Sequence, residues 1–312
     1  MTITRQSHFP RFLALLGVLL TLTGCQSTPE SPAKPSQPTA RELVDLRGRV
    51  LSYTDGLSPD GPYSPPDEEQ REQLARGVGH LLEGDARGAE RLLAPIGLGV
   101  TRLTDTASGR RYDEVAATGQ GESTRWGRLY VTADSRLRWN TQVPHPVADR
   151  NTEALGVRLL EDTPGGALVL AGAHRRAGRE DAADVAHRED SAFHVIVLEL
   201  QKRGVPGVQL HGFSESTTDR YDAILSTGAA ESAPGEVAAL ADRMETDGLR
   251  VCRGWSARCP LEGTRNVQGR AAQREHATFL HLELAPTARG DGHDADEAAD
   301  AVSGLLADWA DG

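Results

Sequence analysis

The chain has 312 residues, with 34 Lys and Arg against 45 Asp and Glu, for a formal charge of −11. An acidic chain has little to gain from counterion release or anionic lipid headgroups, which argues against nucleic acid and against a polybasic membrane contact. Its length is enough for one sizeable hydrophobic core behind any N-terminal leader.

The first elements are a leader and a tether. Arg5 and Arg11 precede the apolar run Phe12 to Leu20, which is too short to span a bilayer and predicts an export signal over residues 1–24. It ends in Leu22-Thr23-Gly24-Cys25, which resembles the bacterial lipobox. That resemblance implies cleavage before Cys25, a lipid such as palmitate on that cysteine, and anchoring to a bacterial membrane on its extracytoplasmic face. The leader holds two arginines and no acid, so its loss moves the formal charge from −11 to −13. Residues 25–66 read as a Pro/Ser-rich tether with one short element around Glu42 to Tyr53, because such composition cannot offset the entropy of ordering.

A single α/β domain is expected over residues 67–312, its helical and hairpin part at 67–134 and its core at 135–312. Leu74, Val78, Leu81 and Leu82, then Ala89, Leu92 and Leu93, keep helical spacing and predict a helical pair over 68–82 and 86–93. A hairpin follows over 98–103 and 111–116, then a strand over 127–133. From Leu137 the chain alternates. Strands are predicted at 137–143, 167–172, 207–211, 222–226, 249–253 and 277–284, and helices at 153–161, 191–203 and 235–247. A last helix is expected with Asp294 as its N-cap. This order predicts a mixed, mostly parallel sheet flanked by helices. Cys252 and Cys259 remain as an even pair in an exported chain, which predicts a disulfide.

Ligands in open α/β sheets bind beyond the carboxyl ends of the strands. That rule selects His145, His211 and Glu283, with His174-Arg175-Arg176 and Asp184-Val185-Ala186-His187 in the loop between. A catalytic zinc takes three protein ligands and keeps a position open. His145 and His211 with Glu153 supply such a set, and Asp149 is the alternative carboxylate. Glu283 is the candidate general base. Arg175, His187 and Arg289 are candidate substrate contacts, Arg289 being also a possible salt-bridge partner of Glu283, and Asp184 could orient a histidine. A rival set makes His174, Asp184 and His187 the ligands.

The histidine after one strand with an acid soon behind it, the second histidine after a later strand, and the segment Phe279 to Arg289 with its late glutamate resemble the zinc exopeptidase and amidohydrolase superfamily. Its members include metallocarboxypeptidases, cell-wall amidases and N-formylglutamate amidohydrolases. The resemblance covers roughly Leu137 to Arg289. It implies one zinc held by His145, a carboxylate and His211, Glu283 as general base, and as substrate a cell-wall peptide or another small amide. The chain departs from the pattern in having no His-x-x-Glu and no glycine-rich loop at His145. A surface-tethered ligand-binding lipoprotein without chemistry is the alternative expectation, and a two-metal phosphoester hydrolase a third.

Overall fold

The computed structural model describes residues 42–230 and 232–312. The expected leader, Cys25 and the tether up to residue 41 lie outside the described residues. No described helix is long and apolar enough to cross a membrane.

The strands are β1 (Glu42–Val44), β2 (Leu98–Asp105), β3 (Arg111–Ala117), β4 (Arg128–Thr132), β5 (Trp139–Val143), β6 (Gly166–Leu170), β7 (Gly207–Gly212), β8 (Ala223–Ser226), β9 (Val251–Arg253) and β10 (Phe279–Leu284). The helices are α1 (Leu46–Thr54), α2 (Glu68–Leu82), α3 (Ala86–Leu93), α4 (Thr152–Asp162), α5 (Ala192–Gln201), α6 (Gly235–Thr246), α7 (Val267–Glu275), α8 (Pro286–Arg289) and α9 (His293–Asp311). All ten strands form one mixed sheet in the order β1-β2-β3-β4-β6-β5-β7-β10-β8-β9. It is parallel across β6-β5-β7-β10 and antiparallel through β2-β3-β4-β6.

Both faces are covered, which is why the strands read as nearly continuous apolar runs. In β6, Leu168 and Leu170 enter the core shared with α1, α4, α6 and α9, while Ala167 and Val169 enter the one shared with α2, α3 and α5. Three adjacent strands break this rule on the second face. There Asn140 and Gln142 of β5, Gln209 and His211 of β7, and His281 and Glu283 of β10 are buried polar residues, and their partners Val208, Leu210, Leu280, Leu282 and Leu284 face the apolar core. The register aligns them, Gln142 opposite Gln209, Gln209 opposite His281, and His211 opposite Glu283.

Strand order also places the site. From β5 the chain passes through α4 to β6 on one side, and later through α5 to β7 on the other, so the order reverses at β5. A crevice opens at the carboxyl end of such a strand.

The structure revises three boundaries. The fold already includes β1 and α1, ahead of Asp67, because Leu46 and Val50 are fully buried and the Leu46 N–H donates to the Asp105 carboxylate at 3.0 Å. Of the helix's apolar residues Leu46, Val50, Leu51 and Tyr53 only the first two are buried, too few to read as a stripe. Asp294 is not an N-cap; α9 starts at His293 behind Gly292, with Asp294 in its first turn. The segment between β9 and β10, which carried no predicted element, contains α7. The Cys252–Cys259 disulfide is formed, with Cα atoms 6.0 Å apart.

Candidate metal centre

His145 follows β5 in a loop whose backbone is turned tightly. Val147 and Asn151 both adopt positive φ, 67° and 69°. A β-branched residue is rarely held there, and such strain persists where the surrounding structure enforces it, often at functional sites. The turn is closed by the Asp149 N–H donating to the His145 carbonyl at 2.9 Å. Asp149 is thereby folded back over the ring, and its Oδ2 lies 3.2 Å from His145 Nδ1 and 3.2 Å from His211 Nδ1. The two imidazoles meet edge to face with centroids 4.9 Å apart.

Each ring has an acceptor at its other nitrogen. His145 Nε2 is 2.7 Å from Asp184 Oδ1, and His211 Nε2 is 2.8 Å from Gln209 Oε1. Nδ1 of both rings and Oδ2 of Asp149 thus converge on one point with their remaining lone pairs. Two imidazole nitrogens and a carboxylate oxygen are a donor set that suits zinc with a position left open. Outer acceptors at the far nitrogens are the usual orienting partners of metal-ligating histidines.

The electrostatics divide the cluster. Burial by itself would lower His145, but its hydrogen bonds to Asp149 and Asp184 outweigh this and raise it. Burial pushes His211 down to about 4, so that ring is neutral. Burial would also raise Asp149 and Asp184, yet the bonds to histidine hold both carboxyls well below the usual range. Beside His211 and His281, within 4.8 Å of their ring nitrogens, burial reinforced by the Asp149 charge pushes Glu283 up to about 8, and its buried Oε2 has no hydrogen-bond partner among the described residues. His281 stacks on His211 with centroids 4.4 Å apart; burial drives it far down, and its buried Nδ1 is likewise unpartnered.

The cleft holds about 380 Å³ and is lined by the His145, His211, His281 and Glu283 side chains, by Arg175 and His187, and by the loop Leu261 to Asn266. Arg175 Nη2 donates to Asp184 Oδ2 at 2.9 Å, and His187 Nδ1 meets the same oxygen at 3.1 Å. Arg265, which also lines the cleft, is exposed and makes no hydrogen bond or ion pair with a described residue.

Two of the expected residues fall elsewhere. Glu153 is not in the cluster. It sits in the first turn of α4, buried with its Oε2 unpartnered among the described residues, and the tight loop brings Asp149 to the rings instead. Arg289 contacts neither substrate space nor Glu283. Its guanidinium donates to the Arg150, Phe213 and Leu284 carbonyls at 2.8, 3.0 and 2.6 Å, tying the end of β10 to two loops. The rival ligand set also separates, since His174 Nδ1 accepts from the Arg176 N–H at 3.2 Å. Gln209, Asn266 and His281 went unremarked as site residues, although the alternations Gln209-x-His211 and His281-x-Glu283 carried the signal.

No protein-family model and no curated protein matches the chain. Among solved structures, it is similar to a metallo-carboxypeptidase from Burkholderia cenocepacia, at 14% identity and a TM-score of 0.36 over 79% of this chain and 69% of that one. Succinylglutamate desuccinylase from Chromobacterium violaceum is similar at 13% identity and a TM-score of 0.39, over 75% and 74%. A metallo-carboxypeptidase from Pseudomonas aeruginosa stands at 14% and 0.33, over 80% and 69%. Likenesses this loose assign no function, and the reading of the site rests on its own residues.

Proposed function

We propose that the chain is a zinc-dependent hydrolase of amide or peptide bonds. The observation that supports this most directly is the meeting of His145 Nδ1, His211 Nδ1 and Asp149 Oδ2 beside a buried Glu283 whose Oε2 has no partner among the described residues. A zinc ion held by these three residues would supply Lewis-acid polarisation of the scissile carbonyl and a positive field that favours the ionised form of Glu283.

The chain's own groups do the rest. Glu283 takes the proton of the attacking water and hands it to the leaving amine, a task that suits a carboxyl shifted towards neutral pH. Asp184 fixes the His145 ring through Nε2. Arg175 and Arg265, which both line the cleft, give a substrate carboxylate a place to pair, so acylated amino acids and short peptides are the substrates to try. The Leu22 to Cys25 pattern supports a lipid anchor on the extracytoplasmic face of a bacterial membrane, where cell-wall peptides would be accessible.

The test is to load the full-length protein with zinc and assay a panel of N-acyl amino acids and peptides. Hydrolysis that a chelator abolishes and zinc restores is expected. A folded protein that binds zinc and cleaves none of them, or that binds none, would sink the proposal.

A further inference from the structure

Five side-chain amides, Asn140, Gln142, Gln209, Asn266 and Gln268, are buried together beneath His211. Burying amides is costly unless their donors and acceptors are met. The oxygen and nitrogen of an amide exchange places by a half-turn, so each orientation must be read from partners whose chemistry is fixed. The backbone supplies three. The Gly269 N–H can only donate, and it donates to Asn266 Oδ1 at 3.0 Å, which turns the Asn266 NH2 group onto Gln209. The Gln209 atom that receives it must be the oxygen. The Val185 carbonyl can only accept, and it takes Gln268 Nε2 at 2.9 Å, leaving Gln268 Oε1 to face the Gln209 nitrogen at 3.3 Å. The Pro206 carbonyl accepts from Asn140 Nδ2 at 2.9 Å, Asn140 Oδ1 accepts from Gln142 Nε2 at 2.8 Å, and Gln142 Oε1 accepts from Gln209 Nε2 at 3.0 Å.

Three routes from three backbone anchors thus orient Gln209 the same way. Its Oε1 faces His211 Nε2 at 2.8 Å, so that nitrogen must carry the ring proton. We infer that Gln209 is a positioning residue whose amide chain keeps a proton on His211 Nε2, so that Nδ1, facing Asp149 Oδ2 at 3.2 Å, is the nitrogen left to an ion. The lock stands on the amide chain alone; only the identity of the ion it serves rests on the zinc reading. The chain reaches the other ring as well. The carbonyl that anchors Gln268 belongs to Val185, next to Asp184, whose carboxylate holds His145 Nε2.

The experiment records the imidazole nitrogens of the zinc-free, full-length protein by NMR, then titrates zinc into wild type, Gln209→Leu and Asn266→Asp. Aspartate at 266 still accepts the Gly269 N–H as a helix cap but has no NH2 group to orient Gln209. The Nε2–H tautomer at His211 is expected in wild type, mixed tautomers in both variants, and zinc binding weaker by about 10- to 100-fold. A His211 ring with no proton on Nε2 in wild type overturns the lock, and so do variants that bind zinc as tightly as wild type. Wild type with the Nε2–H tautomer but no affinity for zinc upholds the lock and overturns the zinc reading instead. Because the decisive spectrum is that of wild type, a variant that fails to fold leaves the inference exposed to disproof.

Discussion

Two of the buried carboxylate clusters are partnered in opposite ways. On β3, Glu114 has a side chain only 1% exposed and is met by permanent cations, with Arg49 Nε and Nη2 at 3.0 and 2.6 Å and Arg128 Nη1 at 2.9 Å. Arg128 in turn lies over the Tyr53 ring at 4.0 Å. At the carboxyl ends of β5, β7 and β10 the buried acids lack such cations. Asp149 meets two imidazoles, and Glu283 Oε2 has no partner among the described residues. Burying charge demands neutralisation. A chain that neutralises one carboxylate with two arginines and leaves others waiting has separated scaffold from site.

Substitutions on the two sides should therefore fail differently. The largest effect is expected from His145→Ala, which removes one of three converging donors. Zinc content should fall from about one ion per chain to none and turnover to the uncatalysed level, with the melting temperature of the metal-free protein nearly unchanged. Retained zinc would mean that His145 is not a ligand. Glu283→Gln should keep the ion and lower kcat by roughly 10² to 10⁴, as measured at saturating substrate. Normal turnover in that variant would remove Glu283 from the chemistry.

On the scaffold side, Arg49→Ala leaves Glu114 with Arg128 alone and should cost about 3 kcal/mol in denaturant unfolding, with activity per folded molecule intact. Lost activity without lost stability would erase the contrast between the two clusters. The smallest effect concerns Glu161, pushed up to about 7 by burial and by the nearby Asp105 charge. Between the ordinary value of 4.5 and about 7 the native state holds this proton more tightly than the unfolded chain does. Stability therefore declines across that window as pH rises. Glu161→Gln should be more stable than wild type at pH 8, by on the order of 1 kcal/mol since the group is half exposed, and no more stable below pH 4.5. Equal melting at both pH values would show that this carboxyl is not shifted.

Much of this was legible before the chain was folded. Leu74, Val78 and Leu81 mark α2 by spacing alone, and Leu280, Leu282 and Leu284 mark the buried face of β10, because periodicity is a local property. The histidines could be picked out because they fall just beyond, or at the end of, runs that read as strands. The α1 helix read only as a short element around Glu42 to Tyr53, because α4, on which it packs, lies about a hundred positions further along, and α7 was hidden because Val267-Gln268-Gly269-Arg270 carries no stripe.

The amino-acid order by itself determined the alternation of strands and helices and which residues stand at the strand ends, since both follow from local pattern. Tertiary structure decided which of them meet. Asp149 rather than Glu153 joins the histidines because the backbone turns left-handed at Val147 and Asn151, and Arg289 clamps carbonyls because α8 folds back over the end of β10. Gln209 meets His211 by strand period, but it reaches Gln142 and Gln268 only because β5, β7 and α7 are packed side by side, and contacts between residues 59 and 67 positions apart are not carried by spacing along the chain.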